Sequence, residues 1–198
     1  MASSTGEDAS KSALREGYAE AQRRLTPAHR RRVDGEILRH LEALPAYRDA
    51  TAVLGYYPYR DEIDVTPVLR RALDKGRTVA LPRCVGGDVS LQFVVVGSFD
   101  DLAAGARGVL EPTRGEPLDP TLVAGSVCLV PGLVFDARGY RVGYGAGYYD
   151  NFLARFTGTK VGLVRTLQVS GAPLPIDEHD VAVDLLVSDA AVWGCRPA

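Results

Sequence analysis

The sequence predicts a single α/β domain of three layers, with helices flanking a mostly parallel central sheet in a Rossmann-like arrangement. Short apolar runs alternate with amphipathic stretches, a pattern typical of strand–helix–strand units. The length of 198 residues and a hydrophobic content of 46% suit one globular core. No repeat, low-complexity tract or long linker divides the chain. We therefore expect one domain over residues 11–198, preceded by a flexible polar tail over residues 1–10.

The first half of the chain predicts two helices and then a strand–helix–strand unit. Apolar residues at helical spacing predict the first helix from Lys11 to Leu25. Thr26 and Pro27 supply the N-cap and the first-turn proline of a second helix, whose apolar stripe ends before Pro45. The segments TAVLGYY, VTPVLRRALDKG and RTVALPRC then predict a strand, a helix closed by glycine and a further strand.

The second half continues the same alternation. SLQFVVV, SVCLVPG and KVGLVR predict short strands, and a helix from about Gly147 to Phe156 falls between the last two. DLLVSDAAVWG predicts a closing apolar segment. The stretch from Asp100 to Pro120 is rich in glycine, proline and aspartate, which predicts an irregular excursion.

Charge and cysteine content exclude several classes of protein. The 23 basic and 25 acidic residues give a net charge of −2, without the cationic field of a dedicated nucleic-acid binder. Cys84, Cys128 and Cys195 are scattered and odd in number, which argues against a disulfide framework or a zinc site. The N-terminus lacks a signal-peptide pattern, and no apolar stretch is long enough to cross a bilayer. We expect a cytoplasmic protein that binds neither nucleic acid nor membrane.

The segment RVGYGAGYYD, residues 141–150, is the most informative part of the sequence. Gly143, Gly145 and Gly147 alternate, so successive N–H groups can turn toward one anion without interference from a Cβ atom. Arg141 can neutralise that anion, and Asp150 falls near the start of the next helix, where it can hold Mg²⁺ or cap backbone donors. A glycine loop that enters a helix is a common phosphate-binding device. The alternative interpretation is a glycine-rich surface turn.

Basic residues in the first two helices offer further cations. Lys11 and Arg15 are four positions apart and share one helix face. They can grip a phosphate together, although such pairs also occur on solvated surfaces. Arg30, Arg31 and Arg32 are consecutive, so they splay around the helix axis, and no aromatic residues interleave them. That arrangement favours a solvated helix face over an RNA-binding site.

Two acidic segments are candidate ligand sites. Glu62 follows a predicted strand end, where ligands meet an open α/β sheet, and the nearby tyrosines can flank a planar heterocycle: Tyr56, Tyr57 and Tyr59. A surface loop is the alternative. His179 lies in PIDEHD among three carboxylates, which can supply a metal ligand or form a polar turn before the final strand.

The order of these motifs resembles a known family. K-x-x-x-R, DEID, ALPR, EP at Glu111–Pro112, LVPGLVFDARGYRVGYGAGYYDNFL, Gln168 and PLPIDEHDVAVD follow one another from about Lys11 to Asp189. This set is similar to the 5-formyltetrahydrofolate cyclo-ligase family (methenyltetrahydrofolate synthetase). The block VPGLVFD…RVGYGAGYYD carries most of the specificity, because the shorter motifs occur by chance in many proteins.

The resemblance implies a role for each matching position. It implies ATP binding by Lys11, Arg15, Arg141, Val142, Gly143, Tyr144, Gly145, Ala146, Gly147, Tyr148 and Tyr149. It implies substrate binding by Tyr57, Glu62 and Tyr148, and catalytic roles for Glu62, Arg141 and Tyr148. It implies Mg²⁺ binding by Asp150 and Asp180. Three residues depart from those frequent in the family: Tyr144, Ala146 and Asn151. Neutralisation of the phosphate charge therefore depends more on Lys11, Arg15 and Arg141.

The implied reaction is the ATP- and Mg²⁺-dependent cyclisation of 5-formyltetrahydrofolate to 5,10-methenyltetrahydrofolate, with release of ADP and phosphate through an iminium phosphate. The implied partner is a reduced folate, and a monomer is expected. A nicotinamide- or flavin-dependent oxidoreductase is the alternative enzyme class, but the late G-x-G-x-G spacing disfavours it. A non-catalytic nucleotide-binding module is a third reading, disfavoured because Glu62 and Asp150 are retained.

Overall fold

The computed structural model describes residues 4–86, 89–105 and 108–196, and side chains from residue 10 onward. Residues 1–3 of the predicted tail and residues 197–198 of the predicted domain lie outside this part. In chain order the strands are β1 (Ala52–Leu54), β2 (Thr78–Val85), β3 (Ser90–Val96), β4 (Leu102–Ala104), β5 (Leu110–Pro112), β6 (Val127–Val130), β7 (Val134–Phe135), β8 (Arg141–Val142), β9 (Thr159–Leu163), β10 (Leu185–Val187) and β11 (Val192–Gly194).

Helices alternate with these strands. They are α1 (Ser4–Arg23), α2 (Pro27–Ala43), α3 (Pro45–Arg48), α4 (Thr66–Asp74), α5 (Pro120–Val123) and α6 (Tyr148–Leu153), with a 3₁₀ turn over Thr166–Gln168. Thr26 caps α2 as predicted, because its side chain accepts a hydrogen bond from the His29 amide. The chain turns after α4 at Gly76, whose φ of 69° favours glycine.

Within the described residues, the main sheet has seven strands in the order β11-β10-β9-β6-β1-β2-β3. The five inner strands are all parallel to one another: β10, β9, β6, β1 and β2. The edge strands β3 and β11 are antiparallel to theirs. The predicted mostly parallel sheet is confirmed.

The two faces of the sheet pack against different helices, which gives the predicted three layers. Val53 of β1 joins the core cluster that contains Ile37 of α2 and Leu69 of α4. Its neighbours Ala52 and Leu54 join the opposite cluster, which includes Leu153 of α6. This alternation follows from the two-residue period of a strand, because successive side chains point to opposite faces.

Three segments differ from the sequence prediction. Helix α1 begins at Ser4, so most of the stretch predicted as a flexible tail is helical. The predicted irregular excursion contains the antiparallel pair β4–β5. The glycine loop is preceded by a short hairpin, β7–β8, that the sequence analysis did not predict.

The strand order fixes where a ligand can bind. From β1 the chain moves to β2 on one side, and it later returns to β6 on the other side of β1. A crevice forms at the carboxyl ends of two parallel strands where the order reverses in this way. Among the described helices none is both long and apolar enough to cross a membrane.

Candidate functional site

A cavity of about 370 Å³ lies at the carboxyl ends of β1 and β6. The loop after β1 contributes Tyr57 and Glu62, and the segment after β6 contributes Gly132. Every residue that the sequence analysis assigned to ATP, substrate or metal lines this one cavity: Lys11, Arg15, Tyr57, Glu62, Arg141, Val142, Gly143, Tyr144, Gly145, Ala146, Gly147, Tyr148, Tyr149, Asp150 and Asp180. Chain segments far apart in sequence therefore converge on it.

The glycine loop connects β8 to α6 along one wall. Gly145 has a φ of 89° and Gly147 a φ of 71°, both in the region that favours glycine, and Gly147 is the N-cap residue of α6. Gly143 has no positive φ, and a Cβ atom added there would meet nothing within 4 Å. Two of the three alternating glycines are thus required by backbone conformation.

Arg15 lies directly against this loop. Its Nε donates a hydrogen bond of 3.1 Å to the Gly143 carbonyl oxygen. A Cβ atom added at Gly145 would come within 3.1 Å of the Arg15 guanidinium carbon. The helix α1 therefore presents a cation to the loop, as a phosphate site requires.

Lys11, one turn earlier in α1, is 6% exposed rather than solvated. Its Nζ donates hydrogen bonds to Asp177 Oδ2 at 2.5 Å and to Asp180 Oδ2 at 2.6 Å. Desolvation lowers the pKa of Lys11, but the hydrogen bonds and charges of the two carboxylates outweigh it, so the pKa is raised. The surface interpretation of Lys11 is wrong. Sequence analysis singled out neither Asp177 nor this pairing.

Asp150 and Arg141 connect the helix α6 to the segment that carries Asp180. Asp150 Oδ1 lies 3.1 Å from an Arg141 guanidinium nitrogen and accepts a hydrogen bond of 3.2 Å from the Val181 amide. Arg141 also donates to the Val181 carbonyl oxygen at 2.9 Å. Asp150 lies in the first turn of α6, and the backbone donor that it caps is the Val181 amide, outside its own helix.

The donor chemistry of this corner suits Mg²⁺. Asp150, Asp177 and Asp180 line the cavity, and carboxylate oxygens are ligands that Mg²⁺ prefers. Among the described residues, no group of three or more histidine, cysteine, aspartate or glutamate side chains is arranged to hold a metal ion. Magnesium needs only one or two carboxylates when phosphate oxygens and water supply its other ligands. In the structure Asp180 pairs with Lys11 and Asp150 with Arg141, so a magnesium ion bound in this corner would share these carboxylates with the two cations.

Glu62 lines the part of the cavity that is formed by the loop after β1. Desolvation raises the pKa of its carboxyl group to about 7, against the smaller opposing effect of a hydrogen bond from the Tyr59 amide to Oε2, 2.9 Å long. Arg60, two residues earlier, has a φ of 53°, an uncommon conformation for a residue other than glycine. A carboxyl group with this pKa is suited to proton transfer near neutral pH.

The tyrosines of this loop divide between two roles. Tyr56 is buried, and its hydroxyl donates to the Ile63 carbonyl oxygen at 3.1 Å, so it fixes the loop. Tyr57 and Tyr59 line the cavity, and the Tyr59 ring meets Tyr144 of the glycine loop edge to face at 5.6 Å between centroids. Tyr144 is 40% exposed, so this pair lies where the cavity opens to solvent.

A third wall comes from β2, β3 and β5, and sequence analysis assigned it no role. Pro82, Cys84, Leu91 and Val109 make it largely apolar, and Glu111 adds a carboxyl group. Glu111 Oε2 accepts a hydrogen bond of 3.1 Å from the amide of Cys84. This wall gives the cavity a surface suited to a planar organic ring, distinct from the cationic glycine-loop side.

Asn151, at a position where the family resemblance implies a frequent arginine, has a structural contact. Its Nδ2 donates a hydrogen bond of 2.7 Å to the Val89 carbonyl oxygen. This bond attaches α6 to the end of the β2–β3 hairpin, so the substitution leaves the helix anchored.

Comparisons with known proteins identify the family to which the chain belongs. The sequence model of the 5-formyltetrahydrofolate cyclo-ligase family matches residues 7–189. The 5-formyltetrahydrofolate cyclo-ligase of Mycolicibacterium smegmatis is 32% identical over 183 residues, which cover 88% of this chain and 91% of that protein. The enzyme of the same name from Mus musculus is 24% identical over 187 residues, which cover 89% and 92%.

Solved structures show the same fold. The NMR structure of Aquifex aeolicus 5,10-methenyltetrahydrofolate synthetase is 35% identical, with a TM-score of 0.81, covering 95% of this chain and 94% of that one. A 5,10-methenyltetrahydrofolate synthetase from Mycoplasma pneumoniae is similar in fold, with a TM-score of 0.71 and 21% sequence identity. The match covers 90% of this chain and 98% of that chain.

Proposed function

The chain belongs to the 5-formyltetrahydrofolate cyclo-ligase family, and we propose that it catalyses the ATP- and Mg²⁺-dependent cyclisation of 5-formyltetrahydrofolate to 5,10-methenyltetrahydrofolate. ADP and phosphate are the other products. The observation that carries the proposal is the single cavity in which the glycine loop, the cations of α1 and the carboxyl group of Glu62 meet. A phosphoryl donor and an organic acceptor can therefore bind side by side.

The glycine loop side of the cavity is the proposed ATP site. Gly145 and Gly147 allow the backbone to approach an anion, and Arg15 lies against the loop. Arg141 is held by Asp150 and the Val181 carbonyl oxygen, so its charge has a fixed position. Phosphoryl transfer depends mainly on positioning and on distributed positive charge, which these residues supply without a protein nucleophile.

The charge balance of the cavity supports a requirement for Mg²⁺. Among the described lining residues, five carboxyl groups face three cations: Glu62, Glu111, Asp150, Asp177 and Asp180 against Lys11, Arg15 and Arg141. A polyanion such as ATP is repelled by that excess unless a divalent cation accompanies it. Asp150 and Asp180 would hold the ion, which would polarise phosphate oxygens and offset their charge.

The opposite walls form the proposed folate site. Tyr57 and Tyr148 offer aromatic surfaces, and the apolar wall around Leu91 accommodates the fused rings. Glu62 lines the same cavity as this apolar wall and the glycine loop. Its position suits contact with the nitrogen and formyl groups that react.

The proposed chemistry has two stages. The formyl oxygen attacks the γ-phosphorus of ATP, the bond to the bridging oxygen breaks, and ADP leaves an iminium phosphate on the folate. The neighbouring secondary amine then attacks the activated carbon and loses its proton, and the carbon–oxygen bond breaks to release phosphate. Glu62 is the proposed acceptor of that proton, because a carboxyl group with a pKa of about 7 can exchange protons at neutral pH.

We further propose a monomer that acts in the cytoplasm on free folates. The proposed catalytic, ATP, substrate and metal residues all come from one chain. Cys128 and Cys195 are free thiols, which suits a reducing compartment.

The test is a spectroscopic assay for the methenyl product with purified protein and 5-formyltetrahydrofolate. Product is expected only when ATP and Mg²⁺ are both present, with one ADP and one phosphate released per methenyl group. A non-hydrolysable ATP analogue provides the control for binding without transfer. If ATP and folate bind but no product forms, the chain is a binding module and the proposed activity is wrong.

A further inference from the structure

Arg165 lies two residues after the end of β9. It is buried and is not a lining residue of the cavity. Only 1% of its surface is exposed. Its Nε and one terminal nitrogen donate to the two carboxylate oxygens of Asp34 at 2.7 and 2.9 Å, and the other terminal nitrogen donates to Gln22 Oε1 at 3.0 Å. The guanidinium is thus held in a fixed plane by α2 and α1.

The remaining donors of the same guanidinium reach the loop that carries Glu62. One terminal nitrogen donates to the Asp61 carbonyl oxygen at 2.9 Å, and the other lies 3.5 Å from the Glu62 carbonyl oxygen. Arg60, just before these residues, has its φ of 53°. A strained backbone of this kind persists only when surrounding contacts hold it, and Arg165 supplies two of them.

The backbone of Arg165 is tied to a second part of the cavity wall. Its amide donates to Gln168 Oε1 at 3.1 Å. The side-chain nitrogen Nε2 of Gln168 donates in turn to the carbonyl oxygens of Gly132 and Leu133 at 3.0 and 3.1 Å. Gly132 lines the cavity, so one buried cluster supports the segments after β1 and after β6.

We propose that Arg165 is a positioning residue for the reaction proposed above, on which this inference rests: it holds the Asp61–Glu62 backbone so that the Glu62 carboxyl group stays in place on the cavity wall. Arg165 is not one of the described residues that line the cavity. It acts through two carbonyl oxygens, and its charge is matched by Asp34.

Asp34 balances the charge of Arg165, so an effect of Arg165 on the position of Glu62 can be distinguished from an effect of its charge. Desolvation and the Tyr59 amide account for the pKa of Glu62, and Arg165 is not among the causes. If the Arg165 contacts are lost, the loop can relax and water can reach Glu62. The pKa of Glu62 should then fall toward its ordinary value of 4.5.

The test compares three variants. Arg165→Gln is combined with Asp34→Asn, because removal of the cation alone would leave a buried carboxylate unpaired. Arg165→Lys keeps the charge for Asp34 but lacks the planar fork that reaches several acceptors. Arg77→Gln is the matched control, since Arg77 also donates to two main-chain carbonyl oxygens, those of Tyr47 and Ala50, and is not a lining residue of the cavity.

The readouts are kcat, the KM values for ATP and folate, the pH dependence of kcat/KM, and the melting temperature. We expect kcat of both Arg165 variants to fall by about tenfold or more, with the KM for ATP within about twofold of wild type. The acidic limb of the pH profile should move to lower pH. The other charged residues that line the cavity are unchanged in every variant, so none of them is removed together with the Arg165 contacts: Lys11, Arg15, Glu111, Arg141, Asp150, Asp177 and Asp180. Arg77→Gln should lose stability without these changes.

The outcomes distinguish the two proposals. If wild-type protein forms no methenyl product, the proposed function itself is wrong. If wild type is active and the folded Arg165 variants keep its kcat and its pH profile, only the positioning role is overturned. Should the double variant fail to fold, Arg165→Lys decides, because it preserves the ion pair with Asp34. A profile that shifts equally in Arg77→Gln would also overturn the role of Arg165.

Discussion

The Nε atom of Arg15 donates a hydrogen bond of 3.1 Å to the carbonyl oxygen of Gly143, a residue 128 positions later in the chain. This contact joins the first helix to the glycine loop. The guanidinium also occupies the space beside Gly145 that a side chain would fill. The cation and the loop therefore form one preorganised surface, and changes at either partner should affect the other.

The first prediction concerns Gly145. Gly145→Ala places a Cβ atom within 3.1 Å of Arg15 at a φ of 89°, so both the loop and the cation must shift. We expect a loss of about 1 to 2 kcal/mol in the free energy of unfolding and about tenfold weaker ATP binding by calorimetric titration. Gly143→Ala is the control, because its Cβ meets nothing within 4 Å and its φ is not positive. Equal ATP affinities in the two variants would contradict a loop that depends on Gly145.

The second prediction separates Arg15 from Lys11. Arg15→Ala should raise the KM for ATP by about tenfold and leave the KM for folate within about twofold, because the guanidinium lies on the glycine loop. Arg23→Ala, an exposed arginine of the same helix, is the control. Wild-type constants for ATP in the Arg15 variant would mean that this cation does not reach the phosphates.

Lys11 should behave differently because it already neutralises two carboxylates. Lys11→Ala leaves Asp177 and Asp180 without their shared cation, so we expect the free energy of unfolding to fall by about 1 to 3 kcal/mol in addition to weaker ATP binding. Adding Asp177→Asn should recover part of that stability in chemical denaturation. If Lys11→Ala leaves stability unchanged, the buried pairing is not formed in solution.

The third prediction concerns the magnesium site. Asp150→Asn and Asp180→Asn should each raise the Mg²⁺ concentration needed for half-maximal activity, with partial recovery at high Mg²⁺. Glu178→Gln is the matched control, since the Glu178 side chain is 84% exposed and is not a lining residue of the cavity. The measurement is activity against free Mg²⁺ at fixed ATP. Full activity of the Asp180 variant at limiting Mg²⁺ would eliminate a site made from both carboxylates.

Local patterns were enough to predict most of the fold. The alternation that sends Val53 to one face and Ala52 and Leu54 to the other is written in consecutive residues, and so is the Thr26 cap of α2. The glycine loop was recognisable because Gly145 and Gly147 have a conformational reason that is local to the chain. Glu62 was recognisable because it follows a strand end.

Long-range pairing was not predictable in the same way. Lys11 and Asp177 are separated by 166 positions, and Arg165 and Asp34 by 131, so no sequence window contains both partners. The spacing of Lys11 and Arg15 predicts a shared helix face, but it gives no sign that Lys11 pairs with two carboxylates near the other end of the chain. Asp136 likewise gave no local sign that its carboxylate would accept bonds from the amides of Arg138, Tyr140 and Leu174 and so fix the β7–β8 turn. Identification of such groups requires the tertiary fold.

The fourth prediction concerns Tyr149. Its buried hydroxyl has no hydrogen-bond partner among the described residues. Tyr149→Phe should therefore leave the melting temperature unchanged or raise it, whereas Tyr56→Phe, which loses the bond to the Ile63 carbonyl oxygen, should cost about 1 kcal/mol. Thermal unfolding of the two variants under the same conditions makes the comparison. A Tyr149 variant that loses as much stability as the Tyr56 variant would indicate a partner for this hydroxyl.

The last prediction follows from the pKa of Glu62, about 7 in the folded protein against 4.5 in the unfolded chain. Between these values the folded state holds a proton that the unfolded state has released, so stability falls as pH rises through this interval and then stays constant. Glu62→Gln has no such titration. Relative to wild type it should gain on the order of 3 kcal/mol at pH 8 and nothing below about pH 4.5.

The same variant should lose turnover at every pH and every Mg²⁺ concentration, because an amide cannot accept the proton released when the ring closes. Stability and activity are therefore expected to change in opposite directions at pH 8, as is common when a destabilising group is kept for function. Denaturation at pH 5 and pH 8, with the methenyl assay on the same preparations, measures both. Asp64→Asn, whose wild-type carboxylate bonds to Thr66, is the control in the same loop. A Glu62→Gln protein that is no more stable than wild type at pH 8 would show that the carboxyl group is solvated, and a fully active one would remove Glu62 from the proton transfer.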